Sequence, residues 1–495
     1  MKLNSHTLDD FIEDVAVPTY DRSEVKVGIV HFGVGGFHRA HQAMYVDRLL
    51  QQGEAMDWGI CGVGVLPGDR KMKDVMDAQD CLFTLALKHS DGTWDTRVIG
   101  SIVEYLFAPD DAEAVIEKMA AETTRIVSLT ITEGGYNFSA TTGEFDASNP
   151  AVVADLEDGA VPTTTFGLVI AALARRRERG LKPFTIMSCD NIEGNGHIAQ
   201  STFTAFAQLK DPSLAEWISA EGAFPNSMVD RITPVTTPEV MRELKDRYAI
   251  DDHWPVAGEP FTQWVLEDAF TLGRPPLEHV GVQVVEDVTP YELMKLRLLN
   301  ASHQALCYFG YLSGYRLVHE VAQDRSFAKF LLAYMDNEAT PTLQAVPGID
   351  LDEYKRTLIE RFSNPEIRDT VARLCAESSD RIPKWLLPVI RSNLETGGDI
   401  ALSTAVVASW ARYAEGVDEQ GEPIEIVDQL KDTLAPLARK QHEDPTAFIA
   451  NRSVFGDLVD NDRFVAEYTK QLKSLHDNGA RSTLEALLAH VSGNT

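Results

Sequence analysis

Along the first half of the chain the apolar positions come in short blocks. Residues 25–32, VKVGIVHF, form a β-branched run that stops at glycine and gives way to a helical pattern over 40–50, so they read as strand, tight turn and helix. Further strand candidates follow at 58–65, 82–87, 98–107, 125–132 and 184–189, and stretches of helical period, among them 110–121 and 165–179, separate several of them. Alternation of this kind predicts an α/β domain with an open, mainly parallel sheet flanked by helices.

Past residue 285 the period changes. Segments 291–312, 316–335, 351–362, 367–376, 401–415, 464–475 and 483–490 favour helix and few strand signals remain, which predicts a mostly α-helical second domain. The boundary falls in VVEDVTPYE, where the turn signal of Pro290 precedes a long helix, giving one domain over 1–285 and another over 286–495. Two domains are also the expectation for 495 residues.

Charge narrows the partners. With 45 Lys and Arg against 75 Asp and Glu, the formal net charge of −30 repels phosphate backbones and anionic lipid alike, so neither nucleic acid nor membrane is expected. A neutral small molecule suits this field better than a strongly anionic one, unless a local basic pocket overcomes it. Residues 1–26 lack the basic start and apolar run of a secretory signal, and nowhere do about 18 apolar residues run together, so a cytoplasmic location is expected. Cys61, Cys81, Cys189, Cys307 and Cys375 are far apart and form no CxxC pair, the pattern of reduced thiols and not of a disulfide or zinc framework.

Two places carry candidate chemistry. Gly33, Gly35 and Gly36 sit in FGVGGFHRAH directly after the first strand, where such a turn lets backbone approach a pyrophosphate and aims helix N–H groups at it. His38 stands where GxGxxG requires a third glycine, so a plain tight turn is the competing reading. Asp69, in GVLPGDRKM after the second strand, is placed to accept from an adenosine ribose and to repel a 2′-phosphate, favouring NAD over NADP. Arg70 and Lys71 beside it weaken that preference, and a solvated loop aspartate is the alternative.

The second place is the helix around YELMKLRLLNASHQAL. At about 100° per residue, Glu292, Lys295, Asn300 and His303 fall within an arc of roughly 140°. A wet surface face has the same spacing, but the residue types suit oxidation of a secondary alcohol. That reaction needs a base for the hydroxyl proton and donors for the developing alkoxide. Lys295 can be the base if burial lowers its pKa. Asn300, and Asn191 in SCDNIEGNG, are suitable neutral donors, and His303 could orient the hydroxyl. A metal-dependent route needs a Cys, His and carboxylate set, and the sequence offers no convincing one. His38 and His41 have a possible ligand spacing but are expected to pack or to bind backbone.

The stretches HFGVGGFHRAHQAMYVD, TEGGYNF, SCDNIEGNG, NSMVDRITP, GEPFTQWVLED and YELMKLRLLNASHQAL resemble, in order and over nearly the whole chain, the mannitol dehydrogenase family of polyol-specific long-chain dehydrogenases and reductases. The resemblance implies a Rossmann-type N-terminal domain followed by a mostly α-helical one, a monomer, NAD as cofactor and no catalytic metal. It implies Lys295 as general base, Asn191 and Asn300 as oxyanion donors, His303 and Asp230 as substrate-positioning groups, and Glu292 as an aid to proton passage between the lysine and solvent. Arg373, with Arg381 or Lys384 in RLCAESSDRIPKWLLP, is implied as a contact for the far hydroxyls, surface basic residues being the plainer reading. To the glycines and Asp69 the resemblance adds Phe37, His38, Arg39, Thr132 and Glu133 at the cofactor. Gly68 departs from relatives that carry a second acidic residue there. The activity implied is reversible oxidation of D-mannitol to D-fructose, with D-arabinitol to D-xylulose alongside it. Two alternatives remain: a fructuronate or tagaturonate reductase of the same family, which would need a cation for the substrate carboxylate, and a non-catalytic NADH-sensing protein, which would have no use for Lys295.

Overall fold

The computed structural model describes residues 1–11, 15–138 and 144–493. Two compact units emerge, Met1–Thr289 and Pro290 onward. The strands are β1 Val15–Ala16, β2 Val27–Phe32, β3 Gly59–Gly64, β4 Phe83–Lys88, β5 Trp94–Ile99, β6 Ile102–Phe107, β7 Ile126–Leu129, β8 Thr185–Ser188, β9 Ser227–Asp230, β10 Val256–Gly258, β11 Gln263–Glu267 and β12 Gln283–Val285.

The first unit is organised by a five-stranded sheet of order β6-β3-β2-β7-β8, parallel throughout. β3, β7 and β8 are buried along their whole length and β2 at all but Val27, as a parallel strand covered on both faces must be. Ile29 and Ile60 face one apolar cluster with Met44 and Leu49, while Val30, Phe32 and Val127 face another with Val115 and Leu173. Counting strands within this sheet alone, the order is 3-2-1-4-5, that of a Rossmann-type fold. The chain leaves β2 to one side and returns for β7 on the other, so the loops after these two strands diverge and open a crevice at the carboxyl edge.

Residues 98–107, expected as one strand, are two. The chain breaks at Gly100, whose N–H donates to the buried Asp47 carboxylate at 2.9 Å and whose carbonyl accepts from Arg22 at 3.0 Å. A Cβ on Gly100 would meet Pro18 at 2.8 Å. β5 therefore joins the mixed sheet β1-β5-β4-β10 while β6 joins the parallel one. A third sheet, β12-β11-β9, lies in a region where sequence periodicity indicated no strand.

The second unit is helical among its described residues. The stretch expected over 291–312 is helix throughout but not α throughout: α-helices Thr289–Met294 and Ala301–Leu312 flank a π-helical turn, Lys295–Asn300. The stretch over 316–335 is divided at Asp324, whose side chain accepts from Ser326 N–H and so starts a new helix, Arg325–Tyr334.

Glu338 is 1% exposed and caps the helix Ala401–Tyr413, accepting the N–H groups of Leu402 at 2.6 Å and Ser403 at 2.8 Å. Burial pushes its carboxyl up to about 7, against the restraint of these hydrogen bonds. A raised carboxyl binds its proton more tightly folded than unfolded, so its contribution is fully present below about pH 4.5 and is lost as pH rises to about 7, by about 3 kcal/mol. Glu338→Gln, which keeps an acceptor without a charge, is expected to flatten the fall in unfolding free energy between pH 5 and 8. Denaturant titrations at both pH values check this; parallel slopes for the two proteins would assign the fall to other groups.

Candidate active site

The turn after β2 is built by close approach. Gly33 has φ +87°, and a Cβ there would lie 2.0 Å from the carbonyl oxygen of Thr130, which follows β7. Thr130 Oγ1 donates to Gly33 O at 2.7 Å and pairs with His31 Nε2 at 2.9 Å, while His31 Nδ1 pairs with Ser128 Oγ at 2.7 Å. The His38 ring stacks on His31 with centroids 3.4 Å apart. Burial holds His31 down to about 3 and His38 well below the usual histidine range, so the floor of the turn carries no charge near neutral pH. Gly35 caps the helix Gly36–Ala40; a Cβ on it would meet only Gly33 O, at 3.9 Å, leaving the space over the turn open. Gly36 packs near methyl groups of Thr233 and Val256. Phe37 stacks on His41, whose Nε2 pairs with Gln263 O at 2.9 Å. Arg39 is buried and donates to Gly35 O and Trp254 O, so it braces the turn from inside.

After β3, the Asp69 carboxylate accepts the N–H groups of Val65 and Leu66, each at 2.9 Å. A carboxylate has about four acceptor positions, so this leaves room for ribose hydroxyls. The two neighbouring cations are engaged elsewhere: Arg70 forms a two-pronged pair with Asp110 and lies 4.4 Å over Phe107, and Lys71 lies 4.4 Å over Trp254.

After β7, Thr132 holds φ +63°, a left-handed conformation that a β-branched residue adopts only under constraint. The constraint is Asp190, two residues past the end of β8. Its carboxylate accepts from Thr132 N–H at 2.8 Å, Ile131 N–H at 3.1 Å and Tyr136 OH at 2.8 Å. Asp190 was not among the residues singled out from sequence, although it lies inside SCDNIEGNG; its one signal there was an acidic residue in a stretch that ends a buried strand. Glu133, in the short helix Thr132–Gly135, and Asn191, on the loop after β8, are exposed. Asn195 secures that loop, donating to Asp190 O at 2.9 Å and Ser227 O at 2.7 Å. Asp230 is buried at the end of β9.

In the second unit Glu292, Lys295, Asn300 and His303 are 7%, 7%, 5% and 9% exposed, which is not a wet face. Residues 292 and 295, and 300 and 303, are neighbours at three-residue spacing. On an α-helix Lys295 and Asn300 would diverge by about 140°. The π turn is wider, as the bond from Ala301 N–H to Leu296 O five residues back shows, and so narrows the angle between positions 295 and 300. Asn300 Oδ1 is buried and has no protein hydrogen-bond partner. The His303 ring rests on Phe362 with centroids 4.5 Å apart. Arg373 is paired bidentately with Asp369, Arg381 donates to the carbonyls of Arg373 and Leu374, and Lys384 pairs with Asp380 at 2.7 Å.

Two family models match the chain: the mannitol dehydrogenase Rossmann domain over residues 27–279 and the mannitol dehydrogenase C-terminal domain over 287–476. Mannitol 2-dehydrogenase of Phaeosphaeria nodorum is 48% identical over 488 residues, covering 98% of this chain and 85% of the relative. That of Aspergillus fumigatus is 47% identical, covering 98% of each. Among solved structures, Pseudomonas fluorescens mannitol 2-dehydrogenase in ternary complex with NAD and D-mannitol has a TM-score of 0.90 at 46% identity, covering 99% of this chain and 100% of that one. D-sorbitol dehydrogenase in substrate-free form has a TM-score of 0.91 at 39% identity, covering 98% and 100%. With both of the family's domains matched in order and nearly half of all residues shared over the full length, the chain belongs to the mannitol dehydrogenase family.

Proposed function

We propose that this protein is a mannitol 2-dehydrogenase that oxidises D-mannitol reversibly to D-fructose with NAD, accepting D-arabinitol as well. The observation that carries the reading is the π turn of the second unit, on which Glu292, Lys295, Asn300 and His303 are all buried. NAD fits the first unit, where Gly35 leaves space over the Gly33 turn and Asp69 keeps acceptors for a ribose, and when bound it supplies the hydride acceptor. Engagement of Arg70 by Asp110 and of Lys71 by Trp254 supports NAD over its 2′-phosphorylated form.

Lys295 takes the proton from the reacting hydroxyl, and Glu292, three residues earlier, passes it towards solvent. Asn300 and Asn191 donate to the oxygen as negative charge builds on it. His303 and Asp230 position the substrate. Arg373, with Arg381 or Lys384, meets the far hydroxyls. These cations already face Asp369, backbone carbonyls and Asp380, which favours a neutral polyol over a uronate needing a cation of its own. In this reading the enzyme works as a cytoplasmic monomer without a catalytic metal.

Nicotinamide absorbance tests it, with NAD and NADP against mannitol, arabinitol, sorbitol and, in reverse, fructose and fructuronate. The expected result is NADH formed from mannitol and undiminished by a chelator. Activity confined to fructuronate would overturn the substrate, and tight NADH binding without turnover would overturn the enzyme. Asn300→Ala is expected to lower kcat by on the order of 10² to 10³-fold. A near-normal rate in that variant would remove Asn300 from the oxyanion site.

A further inference from the structure

Three elements of the second unit that carry none of Glu292, Lys295, Asn300 and His303 meet at one point. Glu415 follows the helix Ala401–Tyr413, His442 follows the helix Lys431–Lys440, and His476 lies in the last turn of the helix Asp462–Asn478. Each offers one ligand atom, and the three lie within 4.8 Å of one another. Both imidazoles present Nε2 to the same carboxylate, His476 at 2.7 Å from Oε1 and His442 at 3.4 Å from Oε2. Their rings stack with centroids 4.4 Å apart. Behind the carboxylate a buried chain fixes its orientation: Tyr468 OH donates to Gln441 Oε1 at 2.8 Å, and Gln441 Nε2 donates to Glu415 Oε1 at 3.1 Å. On the other side the cluster opens into a depression of about 770 Å³, wide enough for water to complete a coordination shell.

We infer that Glu415, His442 and His476 form a binding site for a divalent transition-metal ion of the zinc type. Two imidazole nitrogens and one carboxylate oxygen are a donor set such ions favour, with a fourth position left to water. Ligand bonds of about 2.0–2.1 Å place tetrahedral ligands about 3.3 Å apart, and the three ligand atoms, all within 4.8 Å of one another, reach that spacing by small side-chain rotations. The hydrogen-bonded carboxylate is the outer-shell support that metal sites use to hold a ligand in place. An ion pair alone accounts less well for the geometry. Arg412 already lies 3.1 Å from Glu415 Oε2, so the carboxylate has a cation partner without either histidine. Arg412 and Arg439 oppose a dication, but both also hold backbone carbonyls, of Val417 and Glu415, and Glu419 on the rim offsets one of them. These arginines should make the site weaker than an unopposed structural zinc site. A bound ion would tie together the ends of three helices and so stabilise the second unit without touching the reaction.

The test uses tag-free, chelator-stripped, full-length protein, with zinc chloride as the probe in equilibrium dialysis and in thermal melts. One zinc per chain and a higher melting midpoint are expected. His442→Ala and His476→Ala should each weaken zinc binding by on the order of 100-fold while leaving zinc-free mannitol oxidation unchanged. His442 is mostly exposed, so that variant at least should fold normally. Zinc uptake by the wild-type protein no greater than that of the double variant, or a melting midpoint that zinc does not move, would overturn the site.

Discussion

Lys295→Ala is expected to lower turnover of mannitol by on the order of 10² to 10⁴-fold while leaving NADH affinity unchanged. The two effects separate because a base and a cofactor-binding turn act at different steps. Lys295 lies on the π turn of the second unit, buried with Glu292, Asn300 and His303, whereas the glycine turn and Asp69 belong to the first unit. A base acts at the chemical step, so its loss lowers kcat together with kcat/KM and not the binding of cofactor. Small amines added to the assay should restore part of the rate. Steady-state kinetics beside a fluorescence titration with NADH check both halves. Turnover close to wild type would end the assignment of Lys295 as base; a parallel loss of NADH affinity would mean that the substitution acts through the fold.

The features that were legible in the sequence are those that composition and period encode. β2, its glycine turn and the following helix could be read directly, because a parallel strand buried on both faces must be a nearly unbroken apolar run. The split between β5 and β6 could not, since Val98 and Ile99 at the end of β5 run on into the apolar residues of β6 and only the packing of Pro18 and Asp47 around Gly100 shows that the chain turns there. Glu292, Lys295, Asn300 and His303 were singled out by residue type, but the arc of roughly 140° assumed an α-helical period throughout. Hydrogen-bond register is not written in composition, so the π turn that narrows the angle between Lys295 and Asn300 was invisible. Asp190 was missed for a related reason: its role follows from the left-handed backbone of Thr132, 58 residues earlier, and no local pattern couples the two. Glu415, His442 and His476 lie on three separate elements and share no motif, so only the fold brings their ligand atoms together.

A comparison of Gly33→Ala with Gly35→Ala decides between the two readings of the glycine turn, plain turn or cofactor seat. At Gly33 the added carbon would lie 2.0 Å from Thr130 O and 2.8 Å from Thr130 C, both backbone atoms that cannot swing aside, and φ +87° is unfavourable for any side chain. The turn must move, and moving it breaks the Thr130 to Gly33 hydrogen bond and disturbs the neutral His31 and His38 stack beneath. Gly33→Ala is therefore expected to lower the melting midpoint and to weaken NADH binding by on the order of 100-fold, or about 3 kcal/mol. Either reading of the turn predicts the loss of stability. Gly35 is different, because its φ of −89° suits any residue and its nearest neighbour for a Cβ is 3.9 Å away. The fold should accept alanine there with little change in melting midpoint, yet the methyl group would occupy the space over the turn that a pyrophosphate needs. A stable Gly35→Ala protein with NADH affinity reduced at least tenfold would establish the turn as the cofactor seat. A stable Gly35→Ala protein that binds NADH as tightly as wild type would make Gly33 a folding glycine only, and the dinucleotide would have to be held elsewhere.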